Sequence, residues 1–581
     1  MKNVKRIIAA CLASTMIMSM AACGNKENTP STEQKEAMSN AQESSATSST
    51  SITEEKLYYS TTGYYPICEE PITVTLIGRH AGGGTEWSQT EFAEQVEKQM
   101  GIKLDATAID KTEWPTKLTL MLSSDELPDI VGRVNIDIAE LNKYGAEGYF
   151  LPINEYLDIM PNLSAYFEKY PEYKAIVTAP DGNIYGLTQN DEREISLTVR
   201  TFINKNWLDN LGLNVPTNTD ELYDVLKAFK EKDANGNGDP NDEIPLSSAY
   251  SNMINFYHAF GIFSNTMGYS KIIDESGKLN IGEATENYKE MLKYLRKLYV
   301  EGLYDNDALV QTTDEYKTKC ADERIGMMTT GSAPYVEAGK EASYDNGWAY
   351  MAGLTSPSND TAACVYSPAA GTTVRVAVNA NTEYPEAICR LIDWMFTDEG
   401  AIAIQNGFID VSCYWKEVPG VPGKMMISMR EMEDIEKDYP GAYISQEKYR
   451  NQKAVMNDTF KMRAINKGTE AGVKAEMTEA ELDQYCKAQG YVDFLTSAEL
   501  GSRRLEKVYA VPNYVYTEEE SVRQGALVTD VKMYTQQAFG QFVTGELDVE
   551  KDWDTYINTL EQIGLKELLE IEQAAYDRTF K

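Results

Sequence analysis

The chain has 581 residues, 42% of them hydrophobic, which is enough for two to four domains or for two large lobes with separate cores. With 90 acidic against 54 basic residues, its formal net charge of −36 repels phosphate backbones, so nucleic acid is disfavoured as a partner. The two histidines, His80 and His258, leave little room for a histidine-ligated zinc site or a histidine-based catalytic triad. Any chemistry must come mostly from carboxylates, amides and aromatic side chains.

Residues 1–22 have the features of an export signal. Lys2, Lys5 and Arg6 precede the apolar segment IIAACLASTMIMSMAA, which is too short and too rich in alanine and serine for a membrane-spanning helix. The run MAACG, which contains Cys23, resembles the lipobox of bacterial lipoproteins. This resemblance implies cleavage before Cys23 and diacylation of its thiol, and an ordinary cleaved signal peptide is the alternative.

A lipid anchor followed by a disordered linker is expected over residues 23–68. The segment after Cys23, NKENTPSTEQKEAMSNAQESSATSSTSITEEK, is rich in Ser, Thr, Glu and Gln and has almost no apolar residues. Such a segment cannot bury enough apolar surface to compensate for the entropy lost on folding. It indicates a tether that holds a folded body at the extracytoplasmic face of the cell membrane.

Residues 69–203 show the alternation of an α/β lobe, the N-terminal lobe. PITVTLIGRH is a strand pattern that ends at a glycine-rich turn, EFAEQVEKQMG is a helix pattern with a glycine stop, and IKLDATAID is a second strand pattern. WPTKLTLMLSSDELPDIVG continues with helix, turn and strand. This order predicts a largely parallel sheet. The glycine-rich turn lacks the glycine motifs of nucleotide-binding loops, which disfavours a nucleotide ligand.

A second, C-terminal lobe is expected over residues 204–372, and residues 373–420 are expected to return to the N-terminal lobe. In the C-terminal lobe, TNTDELYDVLKAFKEK and NYKEMLKYLRKLYVEGLYD predict amphipathic helices. The strand pattern VRVAVNA and the helix pattern YPEAICRLIDWMFTDEG indicate the return. Residues 421–581 have mostly helical patterns and are assigned chiefly to the C-terminal lobe.

Six segments that span nearly the whole chain after the linker resemble, in this order, a family of binding proteins. They are LPDIVG, DGNIYGLT, INKNWLDNLGL, DELYDVLKAFKEKDANGNGDPNDEIPL, YPEAICRLIDWMFTDEG and FVTGELDVEKDWDTYINTLEQIGLKELLEIEQAAYDR. The family is that of the extracellular solute-binding lipoproteins of bacterial ABC sugar importers, in particular a LipO-like subgroup related to calcium-containing alginate-binding proteins.

The resemblance implies a two-lobed, periplasmic-binding-protein-like α/β fold with hinge strands. It implies that a carbohydrate, in particular an oligosaccharide, is trapped in the cleft between the lobes and delivered to the transmembrane subunits of an ABC permease. It implies binding without catalysis. We expect a monomer. A lipid-tethered acidic α/β protein with almost no histidine also fits capture better than conversion, because hinge closure around a ligand needs no catalytic group.

The stretch DANGNGDPNDEIP places oxygen-bearing side chains at alternate positions, as in the first half of an EF-hand calcium loop. Gly238 occupies the sixth position, where that loop turns sharply. The twelfth position is Ile244 instead of glutamate. The candidate ligands of a structural Ca²⁺ are Asp233, Asn235, Asn237, Asp239 through its backbone carbonyl, Asp242 and Glu243. A polar surface turn without metal is the alternative.

Sugars present apolar C–H faces and a rim of hydroxyl groups, so their sites combine aromatic rings with polar side chains. Three tryptophans in loop-like contexts are candidates for the cleft: Trp87 beside Glu86, Trp348 and Trp415. Each of them has ordinary burial as its alternative.

Further candidates follow predicted strands, where the ligand residues of open α/β sheets collect. Asp129, in LPDIVG, and Arg133 are expected to follow a strand end, and Tyr250 and Asn252 come after the strand that follows the acidic loop. Arg375 lies in a presumed hinge strand, where a salt bridge is the structural alternative.

Two other functions stay open at this point. A secreted glycosidase would need two carboxylates roughly 5 to 10 Å apart across a cleft, and the sequence distinguishes no such pair. A peptide-binding protein of the same fold would use backbone edges in place of tryptophans.

Overall fold

Strands and helices alternate along most of the chain, as the sequence pattern predicts. The computed structural model describes residues 57–79, 87–110, 113–124, 126–133, 136–192, 200–248, 253–330, 334–340, 346–366, 369–456, 460–490 and 493–581. The strands are β1 (Ile72–Arg79), β2 (Ile102–Ile109), β3 (Ile130–Val131), β4 (Gly186–Asp191), β5 (Arg200–Asn204), β6 (Ile244–Ser248), β7 (Lys271–Ile273), β8 (Leu279–Ile281), β9 (Ile325–Thr330), β10 (Trp348–Met351), β11 (Ala363–Tyr366), β12 (Ala370–Val378), β13 (Cys413–Glu417), β14 (Met425–Met429), β15 (Arg463–Ala464) and β16 (Glu506–Tyr509).

The helices pack on the faces of the sheets. They are α1 (Glu91–Met100), α2 (Trp114–Ser124), α3 (Ile138–Ala146), α4 (Pro161–Lys169), α5 (Pro171–Val177), α6 (Lys205–Leu211), α7 (Thr219–Glu231), α8 (Ile254–Ala259), α9 (Glu286–Val300), α10 (Thr313–Ala321), α11 (Pro334–Glu337), α12 (Pro385–Met395), α13 (Asp398–Asn406), α14 (Met432–Asp438), α15 (Gln446–Tyr449), α16 (Glu470–Ala475), α17 (Glu479–Ala488), α18 (Asp493–Ser502), α19 (Glu518–Thr544), α20 (Trp553–Ile563) and α21 (Leu565–Phe580). In the part of the chain that the structure describes, none of the helices has the length and apolar content needed to cross a membrane.

The first sheet has the strand order β15-β4-β12-β3-β1-β2. β1 pairs in parallel with both β2 and β3, whereas β12 runs antiparallel to β3 and β4. Val74 and Leu76 on β1 are at most 1% exposed, because helices cover the sheet. This sheet and the helices that pack on it form the N-terminal lobe, and its parallel strands agree with the predicted fold class.

Helix α1 shows how local sequence sets an element of this lobe. The Thr90 side chain accepts a hydrogen bond of 3.2 Å from the backbone N–H of Ala93, which caps the first turn and contributes about 1 kcal/mol. Gly101 ends the helix with φ of 73°, and a Cβ there would lie 2.1 Å from the carbonyl oxygen of Cys68. One face, with Phe92 and Val96, is buried against the sheet.

The second sheet has the order β10-β5-β9-β6 and forms the centre of the C-terminal lobe. β6 and β9 are parallel, and β5 is antiparallel to both β9 and β10. A separate apolar core joins α7, α9 and the C-terminal helices α19, α20 and α21 to this sheet. The two sheets and two main cores are the two lobes predicted from the sequence, and Leu57–Lys581 forms one compact unit.

The lobe boundaries differ from the expected ones. β5 begins at Arg200 and already belongs to the second sheet, whereas residues up to 203 were expected in the N-terminal lobe. β12 begins at Ala370 in the first sheet, ahead of the expected boundary at 373. Residues 421–581 divide between the lobes: β15 pairs with β4 of the first sheet, while α18 packs on β10 of the second. A two-residue edge strand is too short to leave a periodic pattern, so the sequence did not reveal it.

The folded body begins earlier than the expected end of the linker at residue 68. Ile67 and Cys68 are each 1% exposed and pack in the N-terminal core. The Tyr64 hydroxyl donates a hydrogen bond of 2.6 Å to Asp393, and the Arg390 guanidinium donates one of 2.9 Å to the Gly63 carbonyl. The tyrosine-rich stretch YYSTTGYYPIC, which contrasts with the polar segment before it, was the signal for this packing.

Candidate functional site

The carboxyl ends of the parallel strands in both sheets lie on the side where the chain crosses between the lobes. In the first sheet, Ala377 lies opposite Val131 at the end of β3, and β12 extends beyond this point back to Ala370. In the second sheet, Arg200 at the start of β5 lies opposite Thr330 at the end of β9. Ligands of open α/β sheets bind beyond the carboxyl ends of the strands. We call the region beyond these ends of β1, β2, β3, β6 and β9 the interlobe site.

Several predicted ligand residues follow these strand ends. Arg133 comes two positions after β3 and is partly buried. Glu86, which follows β1, and Tyr250 and Asn252, which follow β6, lie outside the described residues. Their positions in the chain agree with the interlobe site, and their contacts stay a prediction.

Asp129 has a structural role instead. It precedes β3, although it was expected to follow a strand end. Its carboxylate accepts hydrogen bonds from the backbone N–H of Thr75 (2.8 Å), from the Thr75 hydroxyl (2.6 Å) and from the Thr382 hydroxyl (2.7 Å). These bonds tie β1 to the segment after β12, and they occupy both carboxylate oxygens.

Two of the three candidate tryptophans do not lie at the interlobe site. Trp87 is 5% exposed and packs in the N-terminal core. Trp348 lies opposite Asn204, at the end of the second sheet away from the carboxyl ends of β6 and β9. A loop-like sequence context does not distinguish a ring that faces a cleft from one that fills a core, which explains the difference for Trp87. Trp348 is partly buried and begins strand β10, so its position is set by the sheet.

Trp415 remains a candidate. It lies on the β13–β14 hairpin, is 37% exposed and covers Gly468, where a Cβ would lie 2.7 Å from its ring. Gly468 follows β15, which pairs with Asn190 and Asp191 at the crossing end of β4. Arg375 on β12 donates a hydrogen bond of 2.5 Å to the Gln189 side chain on β4, so it braces the strands beside the crossing.

The acidic loop folds around its own polar side chains. The Asp233 carboxylate accepts hydrogen bonds from the backbone N–H groups of Asn237 (3.0 Å) and Gly238 (2.9 Å). Asp242 accepts from the side-chain amides of Asn235 (3.0 Å) and Asn237 (2.8 Å). The first-half ligand positions and Asp242 therefore converge. The Asp239 side chain is directed to the backbone N–H of Asn241 (3.1 Å), which leaves its carbonyl as the group a metal would use.

The environment of Glu243 indicates whether this loop could bind a cation. It is 3% exposed, and its Oε1 accepts a hydrogen bond of 2.9 Å from the Ala234 backbone N–H. Its Oε2 is shielded from solvent, and no donor among the described residues reaches it. A buried carboxylate oxygen without a partner is costly, and a hard cation would satisfy it. Within the described ranges, no group of three or more His, Cys, Asp or Glu is placed to hold a metal, so amide and backbone oxygens would have to complete the ligand set.

A small cavity in the C-terminal lobe was not predicted from the sequence. It lies between α8, which follows the carboxyl end of β6, and strands β5, β9, β10 and β11. Its polar lining is Thr201, Asn255 and His258, and its apolar lining includes Met327 and Met351. The Asn255 side-chain amide donates to the Thr201 hydroxyl. The hint in the sequence was that Asn255 and His258 come a few residues after the predicted ligand residues Tyr250 and Asn252.

Comparisons with known proteins identify relatives among bacterial solute-binding proteins. Residues 81–402 match the family of bacterial extracellular solute-binding proteins. The fructooligosaccharide ABC transporter substrate-binding protein FusA of Streptococcus pneumoniae is 28% identical over 516 residues, which cover 84% of this chain and 86% of FusA. Lipoprotein LipO of Bacillus subtilis is 27% identical over 241 residues, which cover 41% of this chain and 46% of LipO.

Solved structures of this kind share the fold. FusA in complex with kestose aligns with a TM-score of 0.61 at 23% identity, over 87% of this chain and 99% of that one. An EF-hand mutant of FusA aligns with the same TM-score of 0.61. An HMO-binding solute-binding protein from Bifidobacterium longum infantis aligns with a TM-score of 0.65 at 19% identity, over 88% of this chain and 100% of that one. From the family match and the two-lobed fold together, this chain belongs to the bacterial extracellular solute-binding proteins.

Proposed function

We propose that this protein captures an oligosaccharide at the interlobe site and delivers it to the permease of an ABC importer. The observation that carries the proposal is the position of the carboxyl ends of both sheets at the interlobe crossings. FusA, which is similar over 84% of the chain, binds fructooligosaccharides, so fructan-type oligosaccharides are the first class to test. Ligand contacts with both lobes would stabilise a closed form, and closure would present a different surface to the permease.

A structural calcium ion is part of the proposal. Asp233, Asn235, Asn237 and Asp242 converge, and Glu243 has a shielded oxygen that lacks a donor among the described residues. A bound Ca²⁺ would coordinate this oxygen and balance its negative charge. The loop lies between α7 and β6, whose carboxyl end leads to Tyr250 and Asn252. We infer that the ion stabilises this connection and takes no part in a reaction.

The protein would act at the cell surface, anchored through a diacylated Cys23 and the polar linker after it. We propose that it is a monomer and that it does not convert its ligand. A glycosidase would release product from the same sugars, so a binding experiment and a product analysis on one sample separate the two functions.

The test is a thermal-shift screen of the purified protein with kestose, maltotriose and trigalacturonate and with their monosaccharides. An oligosaccharide should raise the melting temperature more than its monosaccharides, because a ligand that binds only the native state stabilises it. The same samples are then separated by chromatography. Intact sugar supports capture, whereas released monosaccharide would show an enzyme, and the absence of any stabilisation would contradict the proposed function.

A further inference from the structure

A second cavity, of about 330 Å³, lies in the C-terminal lobe where β5 ends and β10 begins. Trp348 and Asn204 pair at this end of the second sheet, whereas Arg200 and Thr330 pair at the other end, beside the interlobe site. Residues of the sheet line the cavity together with the end of α10 and the start of α11. We call it the α10 cavity, and its position makes it separate from the interlobe site.

The α10 cavity is accessible from solvent. Asn206, Glu323 and Lys340 in its lining are exposed and form its mouth. Ile325 and Met328 are each 1% exposed and close its inner side. Ligand pockets in proteins measure about 300 to 1,000 Å³, so this cavity has room for a small organic molecule and not only for a single water.

The polar part of the lining provides hydrogen bonds without a net charge. Side-chain amides, which both donate and accept as sugar hydroxyl groups do, come from Asn204, Asn206, Asn235 and Asn346. The only charged side chains among the described lining residues are Glu323 and Lys340, which form an ion pair with each other. Because their charges cancel, the lining favours a neutral polar ligand over an anion or a cation.

The apolar part of the lining contains an aromatic ring. Trp348 is partly buried and packs beside the apolar cluster that includes Cys320 and Met328. A sugar ring presents a C–H face that packs on an indole and an edge of hydroxyl groups that bond to amides and carboxylates. A small neutral sugar therefore matches both parts of the lining.

The backbone at Glu323 supports a binding role for its carboxylate. Glu323 follows the C-cap residue of α10 and has φ of 59°, in the left-handed region where helices commonly place glycine. A residue with a side chain is strained in this conformation, and such strain is concentrated at ligand sites. Glycine would relieve the strain but would remove the carboxylate from the mouth of the cavity.

We propose that the α10 cavity is an accessory binding site for a neutral mono- or disaccharide. Trp348 provides the surface on which the sugar ring packs, and Asn206 and Glu323 bond to its hydroxyl groups at the mouth. The inference goes beyond the proposed function, because the interlobe site takes no part in it. A sugar here contacts one lobe only and is not covered by closure, so it should bind more weakly than an oligosaccharide at the interlobe site.

The test is fluorine NMR of the purified protein labelled with 5-fluorotryptophan, which has seven tryptophans as reporters. The signal that disappears in Trp348→Phe identifies Trp348. Sucrose, maltose and glucose are the probes, and at least one of them should shift this signal in a saturable manner. The same shift should persist in Trp415→Ala, which alters the candidate ring near the interlobe site.

Three results would overturn the inference and leave the proposed function intact. The first is a Trp348 signal that stays unchanged with all three probes. The second is a shift that grows in proportion to sugar concentration and is shared by all seven signals, since this is an effect of the solvent. The third is a shift that is lost in Trp415→Ala, since the sugar would then act through the interlobe site.

Glu323→Gly provides the second measurement. It removes the carboxylate and relieves the strained backbone, so the variant should melt at the wild-type temperature or above while it binds the probe about three- to tenfold more weakly. Asp322→Asn, at an exposed neighbour that does not line the cavity, is the matched control and should bind like the wild type. Unchanged affinity of Glu323→Gly would contradict the contact between its carboxylate and the sugar, and with it the proposed site.

Discussion

The Tyr516 hydroxyl donates a hydrogen bond of 2.6 Å to Glu572, a side chain on α21 that is 1% exposed. Tyr516 lies in the segment from β16 to α19, in which Val515 packs in the N-terminal core. Three further donors to the same carboxylate are Tyr269, Tyr514 and Gln524, and Lys271 lies 3.7 Å away. This buried cluster fixes a segment beside both lobes to the C-terminal helix.

Removal of the charge at this cluster should destabilise the protein. Burial alone would raise the pKa of Glu572, but Lys271 and the tyrosine hydroxyls outweigh it, so the pKa lies below its usual range. Glu572→Gln should lower the free energy of unfolding by about 3 kcal/mol, because a buried donor set loses its charged acceptor. Denaturant unfolding measures the loss. Glu570→Gln, on an exposed position of the same helix, is the matched control and should change stability by less than about 0.5 kcal/mol.

The neutral, buried His258 makes stability depend on pH. Its pKa is about 4 in the folded protein and 6.5 in the unfolded chain, so the unfolded state binds more protons between these values. Stability from this residue is therefore present above pH 6.5 and is lost as the pH falls towards 4. The difference in unfolding free energy between the wild type and His258→Gln should decrease by about 2 kcal/mol from pH 7 to pH 5. A difference that does not change with pH would contradict burial in the neutral form.

Removal of calcium should lower the melting temperature. A ligand of the native state at a large excess over its Kd contributes about 4 kcal/mol, which predicts a decrease of at least about 3 °C with EDTA. Glu243→Gln weakens the site and should reduce or abolish the response to EDTA. Glu231→Gln, an exposed change at the end of α7, should keep it. An identical melting temperature with and without EDTA in the wild type and both variants would contradict the proposed calcium site.

The two tryptophans on sheet edges should differ in their effect on ligand affinity. Trp415→Ala removes a partly exposed ring near the crossing end of β4, and affinity should fall by roughly 5- to 30-fold if the ring packs on the sugar. Trp348→Ala, at the other end of the second sheet, should leave affinity within about twofold. Titration calorimetry of both variants checks this contrast. Equal losses would show that the interlobe site has been placed at the wrong end.

The sequence predicted the α/β class and the parallel strands because each long element has its own periodic pattern. Arg133, Tyr250 and Asn252 follow strands, whose carboxyl ends collect ligand residues, so their place at the interlobe site stays a prediction. A second set of strand and helix patterns predicted the second lobe, and the family resemblance added the hinge strands and the cleft between the lobes.

The remaining differences come from long-range packing. Burial of Trp87 depends on how its segment packs into the N-terminal core, and the role of Asp129 depends on Thr75 and Thr382. The buried environment of His258 could not be predicted from the sequence, because it depends on Ser264 and on the packing of α8. The two-residue strand β15 could not be predicted from the sequence. Nor could the shielded Glu243 oxygen that lacks a donor among the described residues.

Titration calorimetry of the purified protein, in buffer that contains Ca²⁺, with kestose, maltotriose and trigalacturonate tests the central claim most directly. The account predicts saturable binding of at least one of these oligosaccharides with one site per chain, and recovery of that sugar intact. Absence of heat with every oligosaccharide, or recovery of cleaved sugar, would contradict capture at the interlobe site.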